Sequence, residues 1–298
     1  MKALLTLLAA FAVSQSFSQN YNVAAIPDSL KEKANAVKRY EELKVIIKSP
    51  SKAVIRHKWA ITILNEEGAG HSWYYNFYDK LQSLDDINGE LYDAEGKHLK
   101  SIKKKEISDV SHDDNMSLVT DARVKRFNFY YKQYPYTVEF EDEQTLDGVF
   151  HLPVWDPVTS FNLSIQQSQL VVEAPADYEI RYKQEAFDQQ PVTVSDKGDR
   201  ILTWKLTNYR AIEREPFLPR NSDFTPVVKL APSDFEIEGY KGNMSTWQNL
   251  GKFVLQLNQG RDQLSPQLVK EVEQLTAGIS SVEEKVKVLY KYLQGNTR

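Results

Sequence analysis

The sequence contains no cysteine, and this absence excludes several classes of protein. No disulfide can stabilise the fold, so stability must come from an ordinary buried core. A cysteine nucleophile and a thiolate metal site are both excluded from this chain. A lipid anchor attached through cysteine is excluded as well, because the chain offers no residue to acylate.

An excess of basic charge is also lacking. The 37 Lys and Arg residues stand against 41 Asp and Glu residues, which gives a formal net charge of −4 at pH 7. A nucleic-acid-binding protein needs a basic face that displaces counterions, so we expect no nucleic-acid partner. Aromatic residues, in contrast, are plentiful, with 16 Tyr, 13 Phe and 5 Trp. Tyrosine-rich alternating segments favour half-exposed β-strands.

Long apolar runs are scarce. The N-terminal run from Ala3 to Val13 is shorter than the roughly 20 residues that cross a bilayer. Lys2 precedes this run and small serines follow it, which is typical of a signal peptide. We therefore predict that residues 1–18 are a signal peptide. The mature protein is then expected to have no transmembrane span and to be exported, either to the periplasm or out of the cell.

Residues 25–230 are dominated by alternating apolar and polar positions. This period of two predicts β-strands, and Gly, Pro and Asp turns separate them without interleaved helices. We predict a mainly β fold in which an antiparallel β-sandwich occupies residues 25–230. At the start of this region, a polar stretch from Ile26 to about Glu42 is predicted to be a short helix. Clear strands are at 53–64, 71–78 and 136–141, and the clearest hairpin is at 192–206, with its turn at 195–199.

The pattern changes in the C-terminal part of the chain. Four prolines between Pro216 and Pro232 predict an extended connector. Beyond it the apolar period becomes about 3.6, and capping residues near Ser245, Ser265 and Ser281 start three amphipathic helices. Their apolar stripes need partners. We therefore predict that residues 231–298 are an incomplete α-helical segment, the beginning of a larger domain.

The histidines and carboxylates of the β region suggest weak candidates for chemistry. His112 and the two aspartates after it could form a metal or acid–base cluster, but adjacent residues rarely converge on one point, which favours a solvated loop. His57 is predicted to be a hydrogen-bonded core histidine. Glu139 and Glu141 share one strand face and could serve a glycosidase, or simply face solvent. No catalytic residue, metal ligand or cofactor is predicted.

The strongest candidate for binding is the aromatic segment from Trp73 to Tyr78. Both faces of this strand carry rings, and one interpretation is that one face is presented outward, as in sandwiches that bind sugars or peptides. Trp73, Tyr75 and Phe77 are the predicted binding residues. The competing interpretation is that the connector or the helical domain covers this second face, because exposed apolar patches usually mark contacts with protein.

Several long segments together resemble a known family. They are AITILNEEG, ELYDAEGKHLK, YPYTVEFE, LPVWDP, APSDFEIEGYKGNMSTW and LYKYLQGNTR, in this order. Over essentially all of the mature chain they are similar to exported proteins of Bacteroidetes. In those proteins a β-rich domain of unknown function precedes a transglutaminase-like domain of the papain-related class.

The resemblance implies a Cys-His-Asp enzyme, but the positions that would match the triad lie beyond Arg298. We therefore expect a non-catalytic accessory or scaffolding module that positions substrate or a neighbouring domain. Its expected partner is a protein, the missing or separate transglutaminase-like domain. The alternative is a stand-alone β-sandwich that binds glycan or cell-wall peptide through the aromatic strand.

Overall fold

The computed structural model describes residues 20–112, 120–218 and 224–297. The predicted signal peptide therefore lies outside the described residues. The chain divides into two compact units, one that ends at Lys241 and one that begins at Gly242. The two units are described separately below.

The first unit consists mainly of β-strands, joined by short helical turns. Its helical turns are α1 (Asp28–Lys31) and 3-10 turns at Val23–Ala25, Glu66–Ser72 and Lys104–Glu106. The strands are β1 (Ala36–Ser49), β2 (Lys52–Ile63), β3 (Tyr74–Tyr78), β4 (Gln82–Tyr92), β5 (His98–Ser101), β6 (Ser108–Ser111), β7 (Arg123–Phe127), β8 (Tyr136–Asp147), β9 (Leu163–Pro175), β10 (Ile180–Glu185), β11 (Val192–Asp196), β12 (Asp199–Tyr209), β13 (Val227–Pro232), β14 (Asp234–Ile237) and β15 (Tyr240–Asn243).

Eight of these strands form the main sheet, in the order β11-β12-β9-β1-β2-β8-β4-β5. Neighbouring strands are antiparallel, except that β1 and β9 run parallel at the centre. Smaller sheets are β3-β7-β6, β10-β13 and β14-β15. The predicted mainly β fold with antiparallel sheets is confirmed. The central parallel pair was not foreseen, because it joins segments that are distant in the sequence.

Strand β1 corrects the prediction of a short helix up to about Glu42. Only α1 is helical there, and β1 already begins at Ala36. The register of β1 against β2 shifts between Lys38 and Tyr40, so one extra residue, Arg39, is inserted as a β-bulge. The bulge turns Lys38 and Glu41 to the same face of the strand. Because charged residues occupy buried positions, the apolar–polar alternation of β1 is hidden in the sequence.

One face of the main sheet forms the core of this unit. The three-stranded sheet lies against it, with the Tyr74 hydroxyl and the Asn76 amide donating to the Asp142 carboxylate on β8 at 2.9 and 3.0 Å. The β10-β13 pair covers another part, where the Trp204 indole donates to the Gln184 side chain at 3.1 Å. Trp204 and Leu202 are both buried. The result is a two-layer sandwich.

The opposite face of the main sheet carries charges instead. Lys58 on β2 lies 3.3 Å from Glu139 and 3.4 Å from Glu141 on β8, and Arg56 lies 2.6 Å from Glu143. These residues are opposite one another in the antiparallel register or diagonal neighbours. The N-terminal segment covers one end of this face, where Leu30 of α1 is fully buried. The remainder is a partly solvated ladder of ion pairs.

The second unit begins with helices of the predicted type. They are α2 (Trp247–Asn258), α3 (Pro266–Thr276) and α4 (Val282–Asn296). Ser265 and Ser281 cap α3 and α4 as predicted, whereas Thr246 rather than Ser245 caps α2. Many apolar side chains of these helices are exposed, and Phe253 is buried. Across the residues that the structure describes, no helix has the length and apolar character needed to cross a bilayer.

Two glycines with similar backbone angles test how tightly the chain just after β8 packs against β14. Gly148 has a φ of 102°, and a Cβ there would lie 2.1 Å from the Glu236 carbonyl oxygen, whereas Gly198 has a φ of 92° and open space around it. We expect Gly198→Ala to lower the free energy of unfolding by about 1 kcal/mol through left-handed strain alone. Gly148→Ala should cost about 2 kcal/mol more, because backbone must shift. Urea unfolding of both variants measures the difference, and equal losses would contradict the packing.

Candidate functional site

The predicted binding residues lie on the outer side of the three-stranded sheet. Trp73 immediately precedes β3, and Tyr75 and Phe77 alternate along it. Tyr74 is buried, while Trp73 is 43% exposed and Tyr75 49% exposed. The Tyr75 and Phe77 rings are perpendicular, with centroids 4.7 Å apart. The strand period therefore sends one set of rings into the core and presents the other outward.

A cavity of about 440 Å³ opens beside Trp73. Tyr75 and Phe77 do not line it, and Phe77 packs instead on His112, with ring centroids 4.6 Å apart. The cavity combines rings with basic side chains. We call it the aromatic–basic groove and define it by Trp73, Lys100, Glu106, Arg126, Phe129 and Tyr130.

Tyr130 lies next to Trp73 in the wall of the groove. The two rings meet edge to face, with centroids 5.7 Å apart. Tyr130 has a φ of 53°, which is unfavourable for a residue with a side chain. Asn128 holds this turn, because its side chain accepts a hydrogen bond from the Tyr130 backbone at 2.6 Å and donates to the Ser72 hydroxyl at 2.8 Å. The turn keeps the Tyr130 ring 74% exposed.

The charges of the groove are unequally paired. Lys100 lies 6.0 Å from the Phe129 ring centroid and donates to Glu106 at 2.9 Å. The other Glu106 oxygen accepts from the Lys103 backbone at 2.9 Å. The hydrogen bond from Lys100 lowers the pKa of Glu106. Arg126 lies opposite Tyr75 and Ser108 in the strand register, and its guanidinium has no hydrogen-bond or ion-pair partner among the described residues.

Sequence reasoning found one wall of this groove and missed the rest. The sequence predicts Trp73 as a binding residue because it belongs to a dense run of aromatic residues. Lys100, Arg126 and Tyr130 come from separate segments, which only the β3-β7-β6 pairing and the adjoining edge of the main sheet bring together. In β7 the exposed Arg126 precedes the buried Phe127, but Val124, on the same face as Arg126, is buried too. The alternation of β7 therefore gives no clear sequence signal for an outward-facing arginine.

A second polar cluster is buried in the core. Lys38 donates to Glu41 at 2.7 Å and to the Pro157 carbonyl at 2.9 Å, and Lys38 and Glu41 are only 3% and 7% exposed. Ser168 donates to the second Glu41 oxygen at 2.5 Å and accepts from the Trp155 indole at 2.9 Å. These groups satisfy one another and have almost no access to solvent. The cluster is therefore structural in character.

His57 joins this cluster, as the prediction of a hydrogen-bonded core histidine requires. Its Nε2 lies 3.3 Å from Glu41, and its ring stacks on Trp59 at 4.3 Å. Burial acts to raise the pKa of Glu41, but Lys38 and His57 outweigh it and hold the pKa below the ordinary value of 4.5. Burial raises the pKa of Asp142 and of Asp156.

A serine–histidine pair lies outside the groove. Ser160 Oγ and His71 Nε2 are 3.1 Å apart in a partly buried position. Burial, followed by the charge of Lys38, lowers the pKa of His71. The His71 side chain makes no other hydrogen bond among the described residues, so no described carboxylate orients its ring. Nucleophile, base and orienting group are all needed in a triad, and here only two are present.

The other predicted candidates lie in structural surroundings. Glu139 and Glu141 share Lys58 as a partner, and Glu139 also accepts a hydrogen bond from the Tyr21 hydroxyl. His112 belongs to no group of three or more His, Asp or Glu side chains able to hold a metal ion within the described ranges. Asp113 and Asp114 fall outside the described residues.

Comparisons with known proteins place these features in a family. Residues 50–213, more than half of the chain, match the family model described as a Domain of Unknown Function with solved structure, DUF3857. A comparison with curated proteins gave no significant match.

Solved structures show a similar fold. A Parabacteroides distasonis protein described as a "putative protease" matches with a TM-score of 0.66 and 13% identity, over 88% of this chain and 50% of that one. The chain thus spans half the length of this protein. An M1 zinc metallopeptidase from Deinococcus radiodurans matches over 70% of this chain and 46% of that one, with a TM-score of 0.29 and 8% identity. The second match is too distant to support any argument.

The buried Lys38–Glu41 pair makes the free energy of unfolding depend on pH in the acid range. Because the folded pKa of Glu41 is depressed below 4.5, its stabilising contribution is present above that pH and is lost as the pH falls. We expect Glu41→Gln to lower the free energy of unfolding by about 3–5 kcal/mol at pH 7, since Lys38 is left buried and unpaired. The deficit relative to wild type should shrink progressively below pH 4.5.

Urea unfolding of wild type and variant across this pH range measures the deficit. Asp142 and Asp156 are present in both proteins, so their opposite contributions cancel in the difference. Glu141→Gln, on the solvated face, is the matched control and should show only a small, nearly pH-independent change. A Glu41→Gln deficit that stayed constant down to pH 3 would contradict the assignment.

Proposed function

Because the chain belongs to the DUF3857 family, we propose that it is a non-catalytic accessory module of an exported enzyme of the transglutaminase-like, papain-related class. In this role it positions a substrate or the neighbouring domain. The observation that carries the proposal is the match to half of a longer protein of the same fold. That likeness concerns the fold, and the activity is our inference.

The composition of the chain supports the same role. A papain-related enzyme needs a thiol as its nucleophile, and the chain has no cysteine. The predicted signal peptide supports export, and the Bacteroidetes-like segments support a transglutaminase-like neighbour. The aromatic–basic groove supplies a surface that can hold a substrate, since it combines exposed rings with charges and contains no reactive pair.

We expect the purified chain to leave peptide bonds and glutamine side chains unchanged. Labelled casein tests hydrolysis, and incorporation of a fluorescent amine into casein tests acyl transfer. Papain and a transglutaminase serve as positive controls under the same conditions. The physical reason for the expected result is the missing thiol nucleophile.

Turnover above the buffer control would contradict the accessory role. The Ser160→Ala and Ser101→Ala variants then identify the source, because Ser160 is hydrogen-bonded to His71 and Ser101 to His98. Ser164→Ala, which removes a buried hydroxyl that donates to the Leu30 carbonyl, is the matched control for loss of a serine.

A second candidate function is a stand-alone sandwich that binds glycan or cell-wall peptide. The observation that favours it is the outward presentation of Trp73, Tyr75 and Phe77 on one side of β3. Exposed aromatic rings are suited to stacking on sugar faces and on peptide side chains. This function does not require a neighbouring domain.

For this second candidate we expect a saturable change in intrinsic fluorescence with a cell-wall oligosaccharide or muropeptide. Trp73→Ala should abolish the change, because the ring is both the contact and the reporter. Trp247→Ala, at an exposed tryptophan of the second unit, should preserve it. An unchanged fluorescence across a ligand panel eliminates this candidate.

A further inference from the structure

We propose that the aromatic–basic groove binds the terminal carboxylate of a peptide, with the neighbouring apolar side chain against Trp73 and Tyr130. The inference rests on the proposed role in holding substrate and names the chemical class of what is held. The ligand is an anionic peptide end, and it is distinguished from a neutral glycan by its charge.

The first argument is the charge balance. Lys100 is neutralised by Glu106 through a hydrogen bond of 2.9 Å. Arg126 is exposed on β7, and its guanidinium has no hydrogen-bond or ion-pair partner among the described residues. A guanidinium presents donors in a planar fork that matches a carboxylate with two parallel hydrogen bonds. One uncompensated arginine in the groove therefore calls for one anionic group.

The second argument is the supply of hydrogen-bonding groups. Both Glu106 oxygens already accept hydrogen bonds, from the Lys100 side chain and the Lys103 backbone. The Asn128 side chain is also engaged on both ends, with Ser72 and the Tyr130 backbone. The charged group that is left without a partner among the described residues is the guanidinium of Arg126, which is a donor. A carboxylate accepts from this donor and carries the opposite charge, whereas a sugar hydroxyl is neutral, so the donor favours an anion.

The third argument concerns the shape of the groove. Trp73 and Tyr130 meet edge to face and leave ring surface exposed to solvent. Tyr130 is held in this position by a backbone angle that a side chain disfavours, which is a feature found at binding sites more often than elsewhere. A volume of about 440 Å³ falls within the range of small-ligand pockets. It suits one or two residues at a peptide end.

Calorimetric titration of the full chain with two matched peptides tests this inference. The probes are acetyl-Ala-Ala-Phe with a free carboxylate and the same peptide with a C-terminal amide. We expect the acid to bind about tenfold more tightly or better, because a charge-assisted hydrogen bond is lost in the amide. Added salt should weaken binding of the acid peptide and have little effect on binding of the amide peptide.

Two variants and one control locate the interaction. Arg126→Gln should abolish the preference for the acid while the amide binds as before. Trp73→Ala should weaken both peptides, because the apolar contact is lost. Arg210→Gln removes the same charge from an exposed position outside the groove and should change the affinity for neither peptide. Circular dichroism of each variant checks that the fold is retained.

The outcomes separate this inference from the proposed function. If acid and amide bind equally and Trp73→Ala weakens both, the carboxylate assignment is wrong while a peptide-holding role stands. If neither peptide binds, the proposal that the groove holds a peptide is wrong as well. A loss of acid binding in Arg210→Gln equal to that in Arg126→Gln would show a general charge effect and overturn the assignment of Arg126.

Discussion

The structure of the β unit depends on a buried ion pair at the centre of its main sheet. The bulge at Arg39 brings Lys38 and Glu41 onto one face of β1, where both are removed from solvent. Buried charges are tolerated only when they are paired and hydrogen-bonded. The Ser168 hydroxyl and the Pro157 carbonyl complete this pairing, and they tie β1 to its parallel neighbour β9 and to the segment before it.

This arrangement gives the sheet two different faces, and the position of the groove follows from it. The core face continues through His57 to Asp142, where the Tyr74 hydroxyl and the Asn76 amide attach the three-stranded sheet. Because side chains alternate along β3, inward anchoring of these residues presents Trp73 and Tyr75 outward. The exposed aromatic face is thus a geometric consequence of core packing, and Tyr130 and Arg126 complete it from β7 and the turn after it.

The described polar groups divide into structural and binding sets, and this division supports a holding role. The Lys38–Glu41 cluster is satisfied and inaccessible, and Glu139 and Glu141 are paired with Lys58. Ser160 and His71 form a pair without an orienting acid. The groove, in contrast, combines exposed rings with a guanidinium that has no side-chain partner among the described residues. This combination suits the recognition of a ligand through charge and shape that we propose.

The sequence by itself determined the strands whose apolar residues alternate and the helices that Ser265 and Ser281 cap. These features depend on local periodicity and capping, which neighbouring residues encode. Only the tertiary structure decided that β1 is a strand, that it pairs parallel with β9, and that Lys100, Arg126 and Tyr130 join Trp73. Charged residues in β1 masked its period until their partners across the sheet were known. The groove arises from contacts between distant segments, which no local pattern contains.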